Sequence, residues 1–319
     1  MYLNTFQNIT HPEPVEGCEW RLVNIFIFFV IIVFNIPIFA AQSIDVVIPC
    51  HEKDRLTLEL TIASIKAYSQ NPIGRIIVIS EYPLTDQAEW FDQALFPFTK
   101  KDIVTIIFNN NAQEIEAYKQ RPYNRIGWVY QQILKLYAPI VIPNINENVL
   151  IIDADTIFLR PVTFIDRGKA LYATGKEYKR SYFEHAKRVL PGFTKVYPHY
   201  SGICHHMLMQ RSVLLALCAQ IEKHHHCPAW QALCRCIDPV QCQNLYASIS
   251  EYELYFNYVI GNKKKTALRP LQWKNITFAV DAIIQAQKEG YHYVSCHEYR
   301  NKQPLTQEQV NELRKKLLL

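Results

Sequence analysis

The sequence predicts an α/β fold in which helices cover both faces of a mostly parallel central sheet. From residue 44 onward, short β-branched stretches alternate with segments of helical periodicity, a pattern typical of βαβ units. An apolar stretch at 149–153 runs directly into an Asp-x-Asp sequence, and ligands of open sheets bind at the carboxyl ends of strands. The length of 319 residues is enough for one large domain with a substantial core.

The predicted elements follow in chain order. The first half contains strand 44–49, helix 56–68, strand 75–80, helix 85–94, strand 103–108, helix 123–137 and strand 149–153. The less regular second half contains strand 171–174, helix 207–222, a helix beginning at Ser250, strand 291–295 and an amphipathic helix at 307–319. Because no Gly- or Ser-rich linker separates them, we predict one domain over 43–300, followed by a helical tail at 301–319.

Composition excludes several classes of protein. Hydrophobic residues make up 49% of the chain and charged residues 20%, so the chain is not a disordered protein. Its 9 glycines form no phosphate-binding loop, which argues against P-loop NTPases and dinucleotide-binding enzymes. The net charge of +5 is spread along the chain without a dense basic stripe, so we expect no nucleic-acid partner.

An uncharged run near the N-terminus predicts contact with a membrane. Residues 22–40 carry no charge, and about 20 apolar residues suffice for a helix to cross the hydrocarbon core. We expect a single anchor that makes the protein membrane-associated. The small residues Ala40 and Ala41 leave a secreted protein with a cleaved signal as the alternative. Residues 1–21 lack periodicity and are predicted to be a disordered leader.

The Asp-x-Asp sequence is the main candidate for chemistry. Asp153 and Asp155 stand at positions i and i+2 where a predicted strand ends, so both can project to the same side. Two neighbouring carboxylates repel each other unless a cation lies between them, and a hard divalent ion suits oxygen ligands. Such an ion would in turn hold a diphosphate. The alternative is that both residues only shape a turn.

Four motifs in one order resemble glycosyltransferases of the GT-A fold, which has a Rossmann-like sheet. The closer resemblance is to a poorly characterised bacterial family of glycosyltransferase-like proteins. The motifs are Val46-Val47-Ile48-Pro49 with Asp54, the stretch 127–136, the stretch 152–156 and the stretch 250–255. The resemblance extends over about residues 44–300. It implies a metal-dependent transferase that moves a sugar from a nucleotide-diphosphate donor to a hydroxyl of a glycan, lipid or surface polysaccharide.

The same resemblance implies a set of metal ligands. Asp155 would be the chief ligand of Mn²⁺ or Mg²⁺, and Asp153 would contact the metal or the donor ribose. Members of this fold often add a histidine from a late strand, and His297 follows a strand-like stretch here. A nitrogen ligand suits manganese. The alternative is a surface histidine at the end of a strand.

Three further residues are candidate donor contacts by resemblance. Asp54 follows the first predicted strand, whose end faces the nucleotide in GT-A enzymes. Gln131 and Lys135 share one face of a predicted helix, and a lysine can meet a phosphate as a point charge. For all three, a solvated helix face or helix start is the alternative.

A third group of residues is predicted to take part in catalysis and acceptor binding. By resemblance, Glu251 is the expected base that deprotonates the acceptor hydroxyl if the enzyme inverts configuration; the alternative is an acid that only complements the helix dipole. If it retains configuration, Glu251 would only orient the acceptor, and the sequence leaves this open. His205 and His206 precede a predicted helix in a stretch similar to one in related proteins, and this resemblance implies that one of them contacts the acceptor. The alternative is a plain loop that leads into the helix. The rival function is a membrane-anchored sugar-binding or interaction protein with a structural or vestigial metal site.

Overall fold

The computed structural model describes residues 42–121, 124–243, 248–262, 265–296 and 305–319. All of them belong to one compact unit that covers Ala41–Leu319. The predicted leader, the apolar run at 22–40 and His297 lie outside these ranges. Within them, no helix combines the length and apolar character that a membrane span requires.

Eleven strands and eleven α-helices are assigned within these ranges. The strands are β1 Ile44–Pro49, β2 Ile73–Ser80, β3 Glu89–Asp92, β4 Asn148–Ile152, β5 Thr156–Phe158, β6 Ile165–Asp166, β7 Lys169–Tyr172, β8 His206–Gln210, β9 Thr266–Leu268, β10 Trp273–Ile276 and β11 Tyr293–Cys296. The helices are α1 Arg55–Tyr68, α2 Lys100–Ile107, α3 Ala112–Lys119, α4 Ile126–Val141, α5 Arg180–Val189, α6 Arg211–His225, α7 Ala229–Arg235, α8 Pro239–Gln243, α9 Glu251–Gly261, α10 Val280–Lys288 and α11 Gln307–Leu317.

The central sheet has five strands in the order β3-β2-β1-β4-β8. The pairs β3-β2, β2-β1 and β1-β4 are parallel, and only the edge strand β8 runs antiparallel to β4. Every residue of β1 and β4 is buried, as expected for parallel strands covered on both faces. The fold is therefore mixed α/β with a mostly parallel central sheet, as the sequence predicted.

A second core lies beside this sheet. Strands β10, β11 and β5 form a three-stranded sheet, and its apolar side packs with helices α1, α10 and α11. Val310 and Leu313 of α11 are fully buried there, next to Leu60 of α1 and Ile283 of α10. The predicted C-terminal helix is thus present and packs on the rest of the unit.

The predicted bounds of three central strands agree closely with the structure. β1 has the predicted bounds, and β2 and β4 differ from theirs by one or two residues. The helix predicted to begin at Ser250 is α9, with Ser250 as its N-cap; the Ser250 hydroxyl accepts a hydrogen bond from the backbone N–H of Glu253.

Three other predictions were wrong. The segment 85–94 contains strand β3, and the predicted strand 103–108 is helix α2. A capping box between Thr99 and Asp102 starts α2, and its β-branched residues are buried on one helical face, which overrides their preference for strands. The predicted helix 207–222 begins only at Arg211, because His206–Gln210 pairs with β4 as strand β8.

Candidate functional site

The carboxyl end of β4 carries the Asp-x-Asp sequence. β4 ends at Ile152, and the turn 153–155 leads into β5. The Thr61 hydroxyl of α1 donates a hydrogen bond to the Ala154 carbonyl at 2.9 Å, and the backbone N–H of Thr156 donates to the Asp153 carbonyl at 3.0 Å. The turn is therefore fixed from both sides, and it holds the two carboxylates at the edge where the parallel strands end.

The antiparallel edge strand brings a histidine to this turn. Ile152 pairs with His206, so the residue before β8 meets the residue after β4. The backbone N–H of Asp153 donates to the His205 carbonyl at 2.9 Å, and His205 Nδ1 lies 3.2 Å from Asp153 Oδ2. His205 has φ +64°, a left-handed conformation that is uncommon for a residue with a side chain and is often found at functional sites.

Asp153, Asp155 and His205 form a group that can hold a metal ion. Each offers one ligand atom, and these atoms all lie within 4.8 Å of one another. It is the only such group of three or more His, Cys, Asp or Glu side chains in the part of the chain that the structure describes. Asp155 Oδ1 also accepts a hydrogen bond from Ser295 Oγ at 3.0 Å. Two carboxylates with one imidazole suit a divalent ion such as Mg²⁺ or Mn²⁺.

A buried lysine lies behind this group. Lys135 of α4 is 2% exposed, and its Nζ lies 2.5 Å from Asp153 Oδ1 and 2.8 Å from Glu251 Oε1. The same ammonium lies 4.5 Å from the ring centre of Tyr252, whose hydroxyl donates to Asp153 Oδ1 at 3.3 Å. One cation thus compensates two carboxylates, Asp153 after β4 and Glu251 at the start of α9.

These contacts set the charges of the cluster. Burial by itself raises the pKa of Asp153, but the ammonium of Lys135 and the hydrogen bond from His205 outweigh it and hold that pKa well below its usual range. Burial lowers the pKa of Lys135, and the attraction of Asp153 and Glu251 reverses this and raises it. At neutral pH the cluster therefore contains a carboxylate at Asp153 and an ammonium at Lys135.

Glu251, the other carboxylate that pairs with Lys135, differs from Asp153 in the direction of its pKa shift. Burial, the largest effect, raises the pKa of Glu251, although Lys135 opposes it. Its Oε1 pairs with Lys135, whereas Oε2 is buried without a hydrogen-bond partner among the residues described. A buried carboxylate oxygen without a partner is costly, and it is a position at which a bound hydroxyl can donate.

A second carboxylate of α9 has a structural role. Glu253 Oε1 accepts a hydrogen bond from the Ser201 hydroxyl at 2.5 Å, and Oε2 accepts one from Asn257 Nδ2 at 2.9 Å. A Cβ at Gly202 would lie 2.6 Å from the Phe256 Cβ, so only glycine lets the loop approach α9 this closely. Together these contacts fix the loop that leads to His205.

The structure brings together five of the residues predicted from the sequence. Lys135, Asp153, Asp155, His205 and Glu251 form one connected cluster. His205, which was expected to contact the acceptor, lies with the two aspartates as a candidate metal ligand. Strand 206–210 brings it there, and residues 207–210 of that strand were predicted as part of a helix.

The other predicted residues lie elsewhere or are not described. Asp54 precedes α1 and pairs with Lys53 at 2.9 Å. Gln131 is half-buried on α4, one turn before Lys135. His206 is 3% exposed and packs against the rings of Phe158 and Phe164. The prediction for His297 falls outside the described ranges.

Comparison with known proteins identifies the family of this chain. A model of the family described as "Family of unknown function (DUF6492)" matches residues 41–310. No curated protein matches the sequence. Among solved structures, the apo crystal structure of mouse xyloside xylosyltransferase 1 is similar over 82% of this chain and 100% of that chain, at 9% sequence identity and a TM-score of 0.36. A TM-score this low says nothing about activity.

Proposed function

Since this chain belongs to DUF6492, a family of unknown function, we propose its activity from its own site: a metal-dependent glycosyltransferase with a GT-A-like fold. The donor would be a nucleotide-diphosphate sugar, and the acceptor a hydroxyl of a glycan, lipid or surface polysaccharide. The observation that carries the proposal is the position of Asp153, Asp155 and His205 at the carboxyl end of a central parallel strand.

The residues present fit a divalent ion. Their donor set combines carboxylate oxygens with one imidazole nitrogen, and the atoms lie within 4.8 Å of one another. When bound, the ion would hold the donor diphosphate and offset its negative charge as it leaves. Asp153, Asp155 and His205 would hold it, with Mn²⁺ or Mg²⁺ as the expected metal.

The buried lysine prepares the site for this role. Lys135 keeps Asp153 ionised and fixes its carboxylate 2.5 Å from Nζ. The ring and hydroxyl of Tyr252 restrict the same side chains from the α9 side. The carboxylates are therefore oriented before any ligand binds, and a site oriented in advance loses less free energy on binding.

Glu251 is the proposed contact for a sugar hydroxyl. In the transfer, the bond between the sugar C1 and the diphosphate oxygen breaks, a bond from C1 to the acceptor oxygen forms, and the acceptor proton leaves. The unpartnered Oε2 of Glu251 can accept that proton if configuration is inverted. If configuration is retained, the same oxygen can accept a hydrogen bond from the substrate.

The test is a donor screen with the purified protein. We expect one nucleotide sugar to be consumed in the presence of Mn²⁺, with the nucleoside diphosphate released and the sugar found on an acceptor. Asp155→Asn and His205→Asn should reduce turnover by about 100-fold or more, because each removes a metal ligand. Asn is used at position 205 because it tolerates a left-handed backbone.

A matched control separates chemistry from folding. Asp166→Asn removes the same charge from an exposed position in β6 and should leave turnover unchanged. Donor binding without transfer, abolished by Asp155→Asn, would favour the sugar-binding alternative. If no donor or metal binds to the folded protein, the proposed function is wrong.

A further inference from the structure

Arg269, which lies outside the proposed catalytic cluster, is a half-buried residue whose guanidinium nitrogens are all buried. It follows β9, and its backbone N–H donates to the Tyr172 carbonyl at 2.8 Å. Its guanidinium carbon lies 5.4 Å from the ring centre of Phe164, a side chain that is completely buried. The guanidinium is therefore enclosed beside an aromatic side chain of the core.

The guanidinium lacks hydrogen-bond partners. Nε, Nη1 and Nη2 are all buried, and none has a hydrogen-bond acceptor within the described ranges. No Asp or Glu of those ranges forms an ion pair with it. A buried charge without a partner is strongly unfavourable, so a counter-charge would stabilise this arrangement.

His206 adds two more unpartnered polar atoms to the same region. Its ring lies 5.7 Å from the ring of Phe164, the side chain that Arg269 covers. Nδ1 and Nε2 are both buried without a partner among the described residues. The aromatic rings of Phe158 and Tyr293 complete the wall around His206.

We propose that Arg269 and His206 line an internal site for a small anion that accepts hydrogen bonds, such as chloride or phosphate. The guanidinium supplies charge and several N–H donors, and the imidazole can supply one more. Arginine is suited to this because it stays charged and presents its donors in a planar fork. Neither residue belongs to the cluster of Lys135, Asp153, Asp155, His205 and Glu251, although His206 directly follows His205 in the chain.

The test measures thermal unfolding of the intact chain in HEPES buffer at constant ionic strength. Chloride and phosphate are titrated in separate arms, which distinguish a halide from an oxyanion. We expect one of them to raise the wild-type melting temperature by about 5 °C in a saturable manner. Arg269→Met should abolish this rise. Arg167→Met removes the same charge from an exposed position and should retain it.

Two results would overturn the proposal. The first is the absence of any saturable rise in the wild type, and the second is an equal rise in Arg269→Met. If Arg269→Met does not fold, bromide-soaked crystals of the wild type replace it. An anomalous peak within hydrogen-bond distance of the guanidinium supports the anion site, and density for water alone contradicts it.

Discussion

At the scale of single residues, Lys135 links two elements through its charge. It is buried between Asp153 and Glu251, so its removal leaves two carboxylates without compensation. We expect Lys135→Met to lower the free energy of unfolding by about 3–5 kcal/mol. Urea denaturation followed by circular dichroism measures this change.

The control for Lys135 is a lysine in an exposed pair. Lys274 pairs with Glu289 at 2.9 Å, and both side chains are about one third exposed or more. Lys274→Met should change the free energy of unfolding by less than about 1 kcal/mol. Equal losses in the two variants would show that burial of Lys135 has no energetic consequence.

His185 gives the stability a defined pH dependence. The ring is 1% exposed, and its Nε2–H donates to the Leu233 carbonyl at 2.9 Å. Burial lowers the pKa of His185 from 6.5 to about 4. The stabilisation is present above pH 6.5 and is lost as the pH falls towards 4, because the unfolded chain takes up the proton first.

We therefore expect the wild type to lose up to about 3 kcal/mol more than His185→Gln between pH 6.5 and pH 4. The measurement compares the free energy of unfolding of both proteins along the same pH series. Parallel curves would mean that His185 does not carry the effect.

The sequence predicted part of the site at this scale. Asp153 and Asp155 could be identified because a strand and two carboxylates are adjacent in the chain. The pairing of Lys135 with Glu251 spans 116 positions, so no local spacing reveals it. The position of His205 beside Asp153 depends on the pairing of β4 with β8, which the sequence did not reveal because residues 207–210 were predicted as helix.

At the scale of elements, the close contact of the 200–205 loop with α9 depends on glycine at position 202, which has no side chain. A Cβ at Gly202 would lie 2.6 Å from the Phe256 Cβ and 2.8 Å from the Tyr252 carbonyl oxygen. Gly202→Ala should lower the free energy of unfolding by about 1–3 kcal/mol and reduce turnover, since the displaced loop carries His205. Thermal unfolding and the transferase assay measure the two effects.

Gly127 is the matched control. It lies in the first turn of α4, and a Cβ there would meet nothing within 4 Å. Gly127→Ala should raise the free energy of unfolding by up to about 1 kcal/mol, because alanine favours a helix. A loss of stability in Gly127→Ala similar to that in Gly202→Ala would contradict the steric argument.

The errors in element prediction have a common cause. Segments 103–108 and 206–210 are both apolar, and periodicity over so few residues does not distinguish a strand from a helix. The capping box at Thr99 decides the first case, and pairing with β4 decides the second. The first is readable from sequence, whereas the second depends on tertiary structure.

At the scale of the whole molecule, the C-terminal helix closes the second core. Leu313 is completely buried, whereas Leu318 is 91% exposed. Leu313→Ala should lower the free energy of unfolding by about 2–5 kcal/mol, and Leu318→Ala by less than about 0.5 kcal/mol. Chemical denaturation compares the two. Equal effects would show that α11 does not contribute to the core.

The alternation of strands and helices predicted the mostly parallel sheet, because each βαβ unit is encoded locally. The antiparallel edge strand β8 was not predicted, and it is the strand that completes the cluster. Its pairing joins segments far apart in the chain, a property that hydrophobic periodicity does not encode.

The antiparallel pairing of β4 with β8 also has a consequence for how the chain can vary. Since Ile152 pairs with His206, a shift of one position would turn the His205 side chain away from Asp153. This pairing does not depend on the number of residues that lie between β4 and β8 in the chain. Insertions and deletions between β5 and residue 200 can therefore change the surroundings of the site, while the pairing still places His205 beside Asp153.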